Sequence, residues 1–190
     1  MEFSSDSECS ITCSFTGYRP SKLAFLSDKD SNEYQNLYVT LKNVIIDLIH
    51  KGVAYFQTGM ALGIDMMCSQ IILELKNEFD IHLFCVIPCI DQCSGWKNED
   101  IELYNKIIES ASGVTYISND SYSKGCMMKR NRYLVDNSEY ILAVFDGKKG
   151  GTMSTIEYAK KKKKSIIIIN PKDYTKIELL HGEDEGVCYV

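Results

Sequence analysis

The chain has 190 residues, 45% of them apolar and 25% charged, with a formal net charge of −5. That length suits one globular domain with a sizeable core, and no apolar run reaches the roughly 20 residues that a membrane-spanning helix needs. The acidic balance disfavours long nucleic acid as a partner, and the polar, acidic start M-E-F-S-S-D-S-E-C reads as a flexible amino terminus, residues 1–9, of a cytoplasmic protein.

Eight cysteines are an even number, but a chain of this length without a secretion signal does not need stapling, so free thiols are expected. Cys85, Cys89 and Cys93 recur every four residues, yet Pro88 argues against a helix there and neither a C-x-x-C pair nor a neighbouring histidine accompanies them. Small buried apolar residues are the preferred reading over zinc ligands, and no metal or other cofactor is expected.

Ser10 to Thr16 alternates and carries β-branched and aromatic residues, which predicts a first strand. It runs into Gly17-Tyr18-Arg19-Pro20, where the glycine permits unusual backbone angles and the arginine can grip a phosphate bidentately. Asp30 with Glu33 makes a capping box, and Leu37, Leu41, Val44, Ile45, Leu48 and Ile49 then recur at helical spacing until Gly52. Val53 to Gln57 is a second strand, and Ile64, Met67, Cys68, Ile71, Ile72 and Leu75 mark the core face of the next helix. Between them stands T-G-M-A-L-G-I-D, Thr58 to Asp65. Its strand, glycine turn and helix follow the local plan of a phosphate cradle, although neither G-x-G-x-x-G nor G-x-x-x-x-G-K-[ST] is complete. Asp65, in the new helix's first turn, is placed to accept from a ribose hydroxyl or simply to complement the helix dipole.

Ile81 to Ile87 is a continuous apolar run suited to a strand covered on both faces, ended by Pro88. The following loop holds Gln92 and Trp96, the only tryptophan, which either fills core or stacks on a base. Ile101 to Ser110 predicts a helix and Val114 to Ile117 a strand, followed by a polar loop to Gly125. From Cys126 to Ala159 come a helix with Arg130 and Arg132, a buried strand from Tyr140 to Phe145, the turn after Asp146-Gly147, and a helix opened by Gly150-Gly151-Thr152 that carries Glu157. Lys160 to Lys164 close that helix as a solvated end. Ser165 to Ile169 is a last buried strand, and residues 172–190 read as a carboxyl-terminal tail.

Strand and helix alternate throughout, which predicts an α/β Rossmann-like three-layer sandwich over residues 10–171, a mostly parallel sheet with helices on both faces. The pattern does not fix strand order. Four loops nevertheless point toward one edge of the sheet: Gly17 to Arg19, Thr58 to Asp65, Pro88 to Trp96, and Asp146 to Thr152. Ligands of open α/β sheets settle outside the carboxyl ends of strands, where helix amino termini offer free N–H groups to phosphate.

At T-G-Y-R-P-S-K-L (Thr16 to Leu23), T-G-M-A-L-G-I-D, the I-P-C-x-x-Q-x-x-x-W run from Ile87 to Trp96, K-R-N-R-Y-L-V-D (Lys129 to Asp136) and G-G-T with its downstream E-Y-A, the chain resembles the SLOG superfamily. That Rossmann-like group joins Smf/DprA proteins with LOG proteins, and the likeness is to its YpsA-like branch. The resemblance implies binding of a small nucleotide-derived ligand, of ADP-ribose type or a mononucleotide, for sensing or sequestration. Thr58, Gly59, Gly63, Gly150, Gly151 and Thr152 would hold phosphates, with Gly17 and Arg19 beside them. Asp65 or Asp146 would take ribose, Trp96 or Tyr18 would stack on the base, and Gln92 would join them. A nucleoside-monophosphate phosphoribohydrolase is the alternative. On the LOG pattern M-H-x-R-K followed by P-G-G-x-G-T-x-x-E, Arg130 meets the catalytic arginine and Glu157 the catalytic glutamate. Met128, Lys149 and Met153-Ser154 replace the histidine, the proline and the Gly-Thr. Single-stranded DNA binding through Lys160 to Lys164 is a third reading. Because LOG-like relatives dimerise across a two-fold axis, the resemblance also implies a homo-oligomer.

Overall fold

A computed structural model describes residues 11–179 and 188–189; the amino terminus expected to be flexible, residues 1–9, lies outside them. The described elements run β1 (Ile11–Thr16), a 3-10 turn (Ala24–Ser27), α1 (Asn32–His50), β2 (Val53–Thr58), α2 (Ile64–Leu75), β3 (His82–Ile87), α3 (Asn98–Ser110), β4 (Gly113–Tyr116), α4 (Cys126–Asp136), β5 (Tyr140–Val144), α5 (Gly151–Lys161), β6 (Ser165–Ile169), β7 (Lys176–Leu179) and β8 (Cys188–Tyr189). Among them no helix is long and apolar enough to cross a membrane.

The strands form one sheet in the order β4-β3-β2-β1-β5-β6-β7-β8. β1 to β6 pair in parallel, while β7 joins β6, and β8 joins β7, antiparallel. The stretch read as a tail therefore supplies two strands. Lys176–Leu179 carries only two apolar side chains, and every residue of it is half-buried, so its pattern gives little strand signal.

Alternation along the strands sorts side chains into two cores. On β5, Leu142 and Val144 point into the larger one, shared with α1, α2 and α3, whereas Ile141 and Ala143 point into a smaller one with Val135 of α4 and Ile156 and Ala159 of α5. Helices thus cover both faces of a mostly parallel sheet, which is the Rossmann-like sandwich. In the larger core the rings of Phe15 and Phe56, on neighbouring strands, lie with centroids 5.9 Å apart.

The first long helix starts one residue from the expected cap. Ser31, in extended conformation, accepts from the Tyr34 backbone N–H at 3.2 Å and donates its hydroxyl to the Asp28 carbonyl at 2.7 Å. Ser31 in place of Asp30 is thus the cap, and Glu33 lies in the first turn, where its carboxylate complements the helix dipole.

β1 is the hinge of the topology. Strands added before β5 lie on one side of it and strands from β5 onward on the other, so the crevice between the carboxyl ends of β1 and β5 is the switch point where open α/β sheets receive ligands.

Candidate functional site

A cleft of about 290 Å³ occupies that switch point. One wall is the segment after β1, with Gly17, Tyr18, Arg19, Ser21 and Lys22. The other is the turn after β5, with Lys149, Gly150, Gly151 and Thr152. Asp65 and Ala61 from the α2 turn, with Met127, Arg130 and Asn131 of α4, complete it.

The two glycine turns do different work. At the start of α2 the backbone is already committed: Ile64 N–H donates to the Tyr18 carbonyl at 3.2 Å. Gly63, at φ 95°, would bring a Cβ within 2.5 Å of the Tyr18 oxygen, so only glycine lets the α2 turn close onto the β1 turn. At Gly17 a Cβ would stand 2.5 Å from that of Ile64, which is the other half of the same contact. Thr58 is fully buried, donating to the Asp65 carbonyl and accepting from Met60 N–H. Gly59 makes room for Arg130, whose Nη1 would be 1.1 Å from a Cβ there. Thr58, Gly59 and Gly63, expected around phosphate, therefore do not line the cleft; they shape its floor.

The start of α5 is open. No side chain caps it, nothing lies within 4 Å of a Cβ built on Gly150 or Gly151, and the first N–H groups of the helix face the cleft unclaimed by a cap. A helix amino terminus in this state carries partial positive charge and free donors, which is what an anion needs. Arg19, Lys22 and Lys149 line the cleft around it; among the described residues none of them closes an ion pair, and Arg19 acts on Asp65 only from a distance, helping to hold that carboxyl down.

Arg130 lies at the bottom, 4% exposed, its Nη1 donating to Asp65 Oδ2 at 3.3 Å and its Nε without an acceptor. Asp65 also accepts from Ala61 N–H. Burial pushes the Asp65 carboxyl up, opposed by Arg130, and pushes the Arg130 guanidinium down, opposed by Asp65. The pair is thus a buried one with incomplete hydrogen bonding, costly to form and costlier to break.

Tyr18 is buried; its hydroxyl donates to Asp146 Oδ1 at 2.5 Å and its ring tilts against Phe145. Asp146, also approached by Lys148 at 3.1 Å and Lys172 at 3.4 Å, lies outside the cleft lining and fastens the β5–α5 loop. The Tyr18 hydroxyl first, and Lys148 after it, hold this carboxyl down at about 2, against the opposing effect of burial.

Gln92 sits away from the cleft and braces the loop after β3, its amide donating to the carbonyls of Gly59 and Met60 at 3.0 and 2.6 Å. Trp96 packs edge-on to Tyr104, 5.6 Å between centroids, and lines a separate, larger cavity of about 540 Å³ among Leu26, Tyr34, Met66, Met67 and Leu103. That larger cavity is also bordered by Lys29, Lys97, Glu99 and Asp100, and none of its lining residues belongs to the open end of α5, so size alone does not locate the site. Glu157 is exposed and lines a third groove between α4 and α5, while Arg130 faces Asp65. The arginine and glutamate of the hydrolase pattern thus line two adjoining cavities, which share Met127, Asn131 and Gly151. Ser21, Lys22, Asn131 and Lys149 were not anticipated as site residues; the first two belong to the T-G-Y-R-P-S-K-L run, and Asn131 is held by its amide donating to Thr155 Oγ1 at 3.0 Å.

The YspA SLOG family model matches residues 13–174, from the middle of β1 to the loop before β7. The chain belongs to that family. UPF0398 proteins of Bacillus thuringiensis strain Al Hakam and Bacillus cereus strain Q1 are each 27% identical to it over 153 residues, covering 80% of this chain and 83% of theirs. Among solved structures it is similar to DNA processing protein A from Streptococcus pneumoniae, with a TM-score of 0.62 and 16% identity over 85% of this chain. It is also similar to DNA processing protein A from Helicobacter pylori, TM-score 0.57 and 18% identity over 84% of this chain, in a structure described as showing a single-stranded DNA binding mode. The chain spans 50% and 65% of those two proteins, respectively. The fold is therefore one that occurs in a single-strand binder, and the expectation that net charge disfavours long nucleic acid is corrected. A net charge of −5 averages over the whole surface and does not describe local groups such as Arg19, Lys22 and Lys149.

Proposed function

We propose that the family's cleft in this chain binds a small nucleotide-derived ligand through its phosphate. The observation that carries this reading is the uncapped amino terminus of α5, open at Gly150 and Gly151, in a cleft also lined by Arg19, Lys22 and Lys149, none of which closes an ion pair among the described residues. Phosphate accepts from the Gly151 and Thr152 N–H groups while Arg19, Lys22 and Lys149 neutralise its charge. Arg130 adds a buried positive charge from below, and Asp65, already tied to it, is the acceptor for a sugar hydroxyl.

Binding without turnover is favoured over phosphoribohydrolysis because Met128, Lys149 and Met153-Ser154 stand in place of the histidine, the proline and the Gly-Thr of the hydrolase pattern, and Glu157 lines the adjoining α4–α5 groove, not the cleft that Arg130 lines. Cleavage of a base–ribose bond needs its carboxylate within hydrogen-bond reach of the sugar or of the attacking water.

The test is calorimetric titration of the purified protein with AMP, ADP and an oligothymidylate, with mass spectrometry of the nucleotides afterwards. Saturable 1:1 binding of a nucleotide, recovered intact and weakened at least about tenfold by Arg19→Ala, is the expected result. No saturable binding of either nucleotide refutes it. Release of free adenine, lost in Glu157→Gln, would assign hydrolysis instead. Oligothymidylate that competes with AMP and binds more tightly would assign the cleft to the phosphates of a strand.

A further inference from the structure

Back to back with the cleft, across the turn that opens α2, lies the larger cavity of about 540 Å³. Ala61 and Asp65 of that turn line the cleft, Leu62, Gly63 and Met66 line the cavity, and no residue lines both. Its volume is well inside the roughly 300–1,000 Å³ of small-molecule sites.

The cavity is chemically unlike the cleft. From α2 come the thioethers of Met66 and Met67, 3% and 2% exposed, and from the segment before α3 comes the Trp96 indole, fixed edge-on to Tyr104. Thioether sulfur and aromatic rings attract one another, so this lining suits a flat aromatic guest better than a saturated one. The ionic groups at the rim cancel: Lys29 and Lys97 stand against Glu99 and Asp100, and Lys97 pairs with Glu99 at 3.4 Å. Glu99 and Asp100 also occupy the first turn of α3, where their carboxylates repel an anion from the helix end. A phosphate therefore gains nothing here, and no net charge awaits any other ion.

Three polar groups of the lining residues have no partner among the described residues: the Tyr34 hydroxyl, the Gln70 amide and the Trp96 indole N–H. Tyr34 is only 6% exposed, and a buried hydroxyl ordinarily has a partner. Its place is set by α1, since its backbone N–H is taken by Ser31 and its ring stacks on Tyr38 with centroids 6.3 Å apart. Burial pushes its pKa up, so the hydroxyl stays a donor. Gln70, half-buried, offers a donor and an acceptor side by side. An amide or lactam answers both at once and presents its carbonyl oxygen to a hydroxyl donor.

We propose that this cavity is a second binding site, for an uncharged planar aromatic molecule bearing an amide or lactam, with its ring against Met66, Met67 and Trp96 and its polar group at Tyr34 and Gln70. Such a site is independent of phosphate binding in the cleft.

Naphthamide is the probe, a flat bicyclic ring with one uncharged amide. The chain has a single tryptophan, so one indole N–H signal in the proton–nitrogen correlation spectrum reports on this cavity. Titration of the full chain should move that signal saturably, with a Kd of about 1 mM or tighter and a matching calorimetric curve. Naphthoate, which is charged, and the saturated decalin carboxamide should each bind at least about fivefold more weakly. Tyr34→Phe and Gln70→Leu should each weaken naphthamide about three- to tenfold, with melting curves showing both variants folded, because neither group gives up a hydrogen bond within the described protein. A shift that does not saturate, naphthoate or the decalin amide binding as tightly as naphthamide, or binding untouched by both substitutions overturns the proposal. Displacement of naphthamide by AMP at the indole signal would overturn it too, by assigning the cavity to nucleotides.

Discussion

Placing a methyl group at Gly59 tests the account of the cleft floor most directly. A Cβ there would stand 1.1 Å from Arg130 Nη1 and 2.1 Å from its Cζ, so in Gly59→Ala the guanidinium has to leave its place. An arginine tip is ordinarily able to swing aside at little cost, but this one is 4% exposed and paired with Asp65, whose side chain is 8% exposed. Displacing it leaves a buried carboxylate without its cation, a change that costs about 3–5 kcal/mol. For a chain of this length that lowers the melting temperature by roughly 6–20 °C. Urea denaturation followed by circular dichroism gives the free energy, and a double-mutant cycle identifies its source. In an Arg130→Ala background the space is vacated, and the same methyl should cost less than about 1 kcal/mol. Gly59→Ala within about 0.5 kcal/mol of the unsubstituted protein, or additivity of the two substitutions, would refute the assignment of Gly59 to accommodating Arg130.

Gly151→Asp separates stability from binding. The new side chain has open space around it and complements the α5 dipole, so the melting temperature should hold or rise, while the carboxylate repels phosphate and nucleotide affinity should fall at least about tenfold in calorimetry. Asp146 predicts a pH effect. Its carboxyl is held at about 2 in the fold against an ordinary 3.8, so its stabilisation is complete above about pH 4 and drains away as pH falls toward 2. Up to about 2 kcal/mol should be lost over that window, and urea midpoints between pH 5 and 2 should show a shallower slope in Asp146→Asn; parallel slopes would contradict it. Gln92→Leu removes two donors from the Gly59 and Met60 carbonyls and should destabilise by about 1–3 kcal/mol in urea, with AMP affinity changed less than threefold because Gln92 stands outside the cleft.

Periodicity in the sequence is enough for β1 to β3, β5, β6 and the helices, because each has a face that must be dry; β4, with Val114, Thr115 and Tyr116 exposed, is legible only as a short β-branched and aromatic run. Periodicity is not enough for strand order, since hydrophobic alternation on β1 reads the same whichever strand lies beside it. The glycines show where local reading stops. Gly150-Gly151 reads as an open turn before a helix and is one. Gly59 reads as a phosphate glycine beside Gly63, yet its reason is a guanidinium from a helix far along the chain; the motif's own Asp65 pairs with that guanidinium, but a carboxylate in sequence does not name the cation it will meet. Trp96 was ambiguous for the same cause: a lone indole after a strand carries no mark of whether its neighbour is a ligand or, as here, Tyr104. Lys22, within the T-G-Y-R-P-S-K-L run, and Lys149, legible only as a replacement for a proline, give no sign of lining the cleft, because a surface lysine has no signature until its neighbours in space are visible.

The central position of β1 also governs how the molecule is assembled in time. Its partners on one side come from β2, close in sequence, but on the other from β5, paired as Cys13 with Tyr140 through Thr16 with Ala143. Until that second pairing closes, Ile11–Thr16 is the free edge of a four-stranded sheet, with unpaired backbone donors and acceptors along a strand whose last four side chains are buried in the finished fold. Long-range parallel pairing is slow, so a nascent or truncated chain lacking β5 offers other chains a ready template for strand addition. Loss of the carboxyl-terminal third would therefore aggregate the protein through its innermost strand.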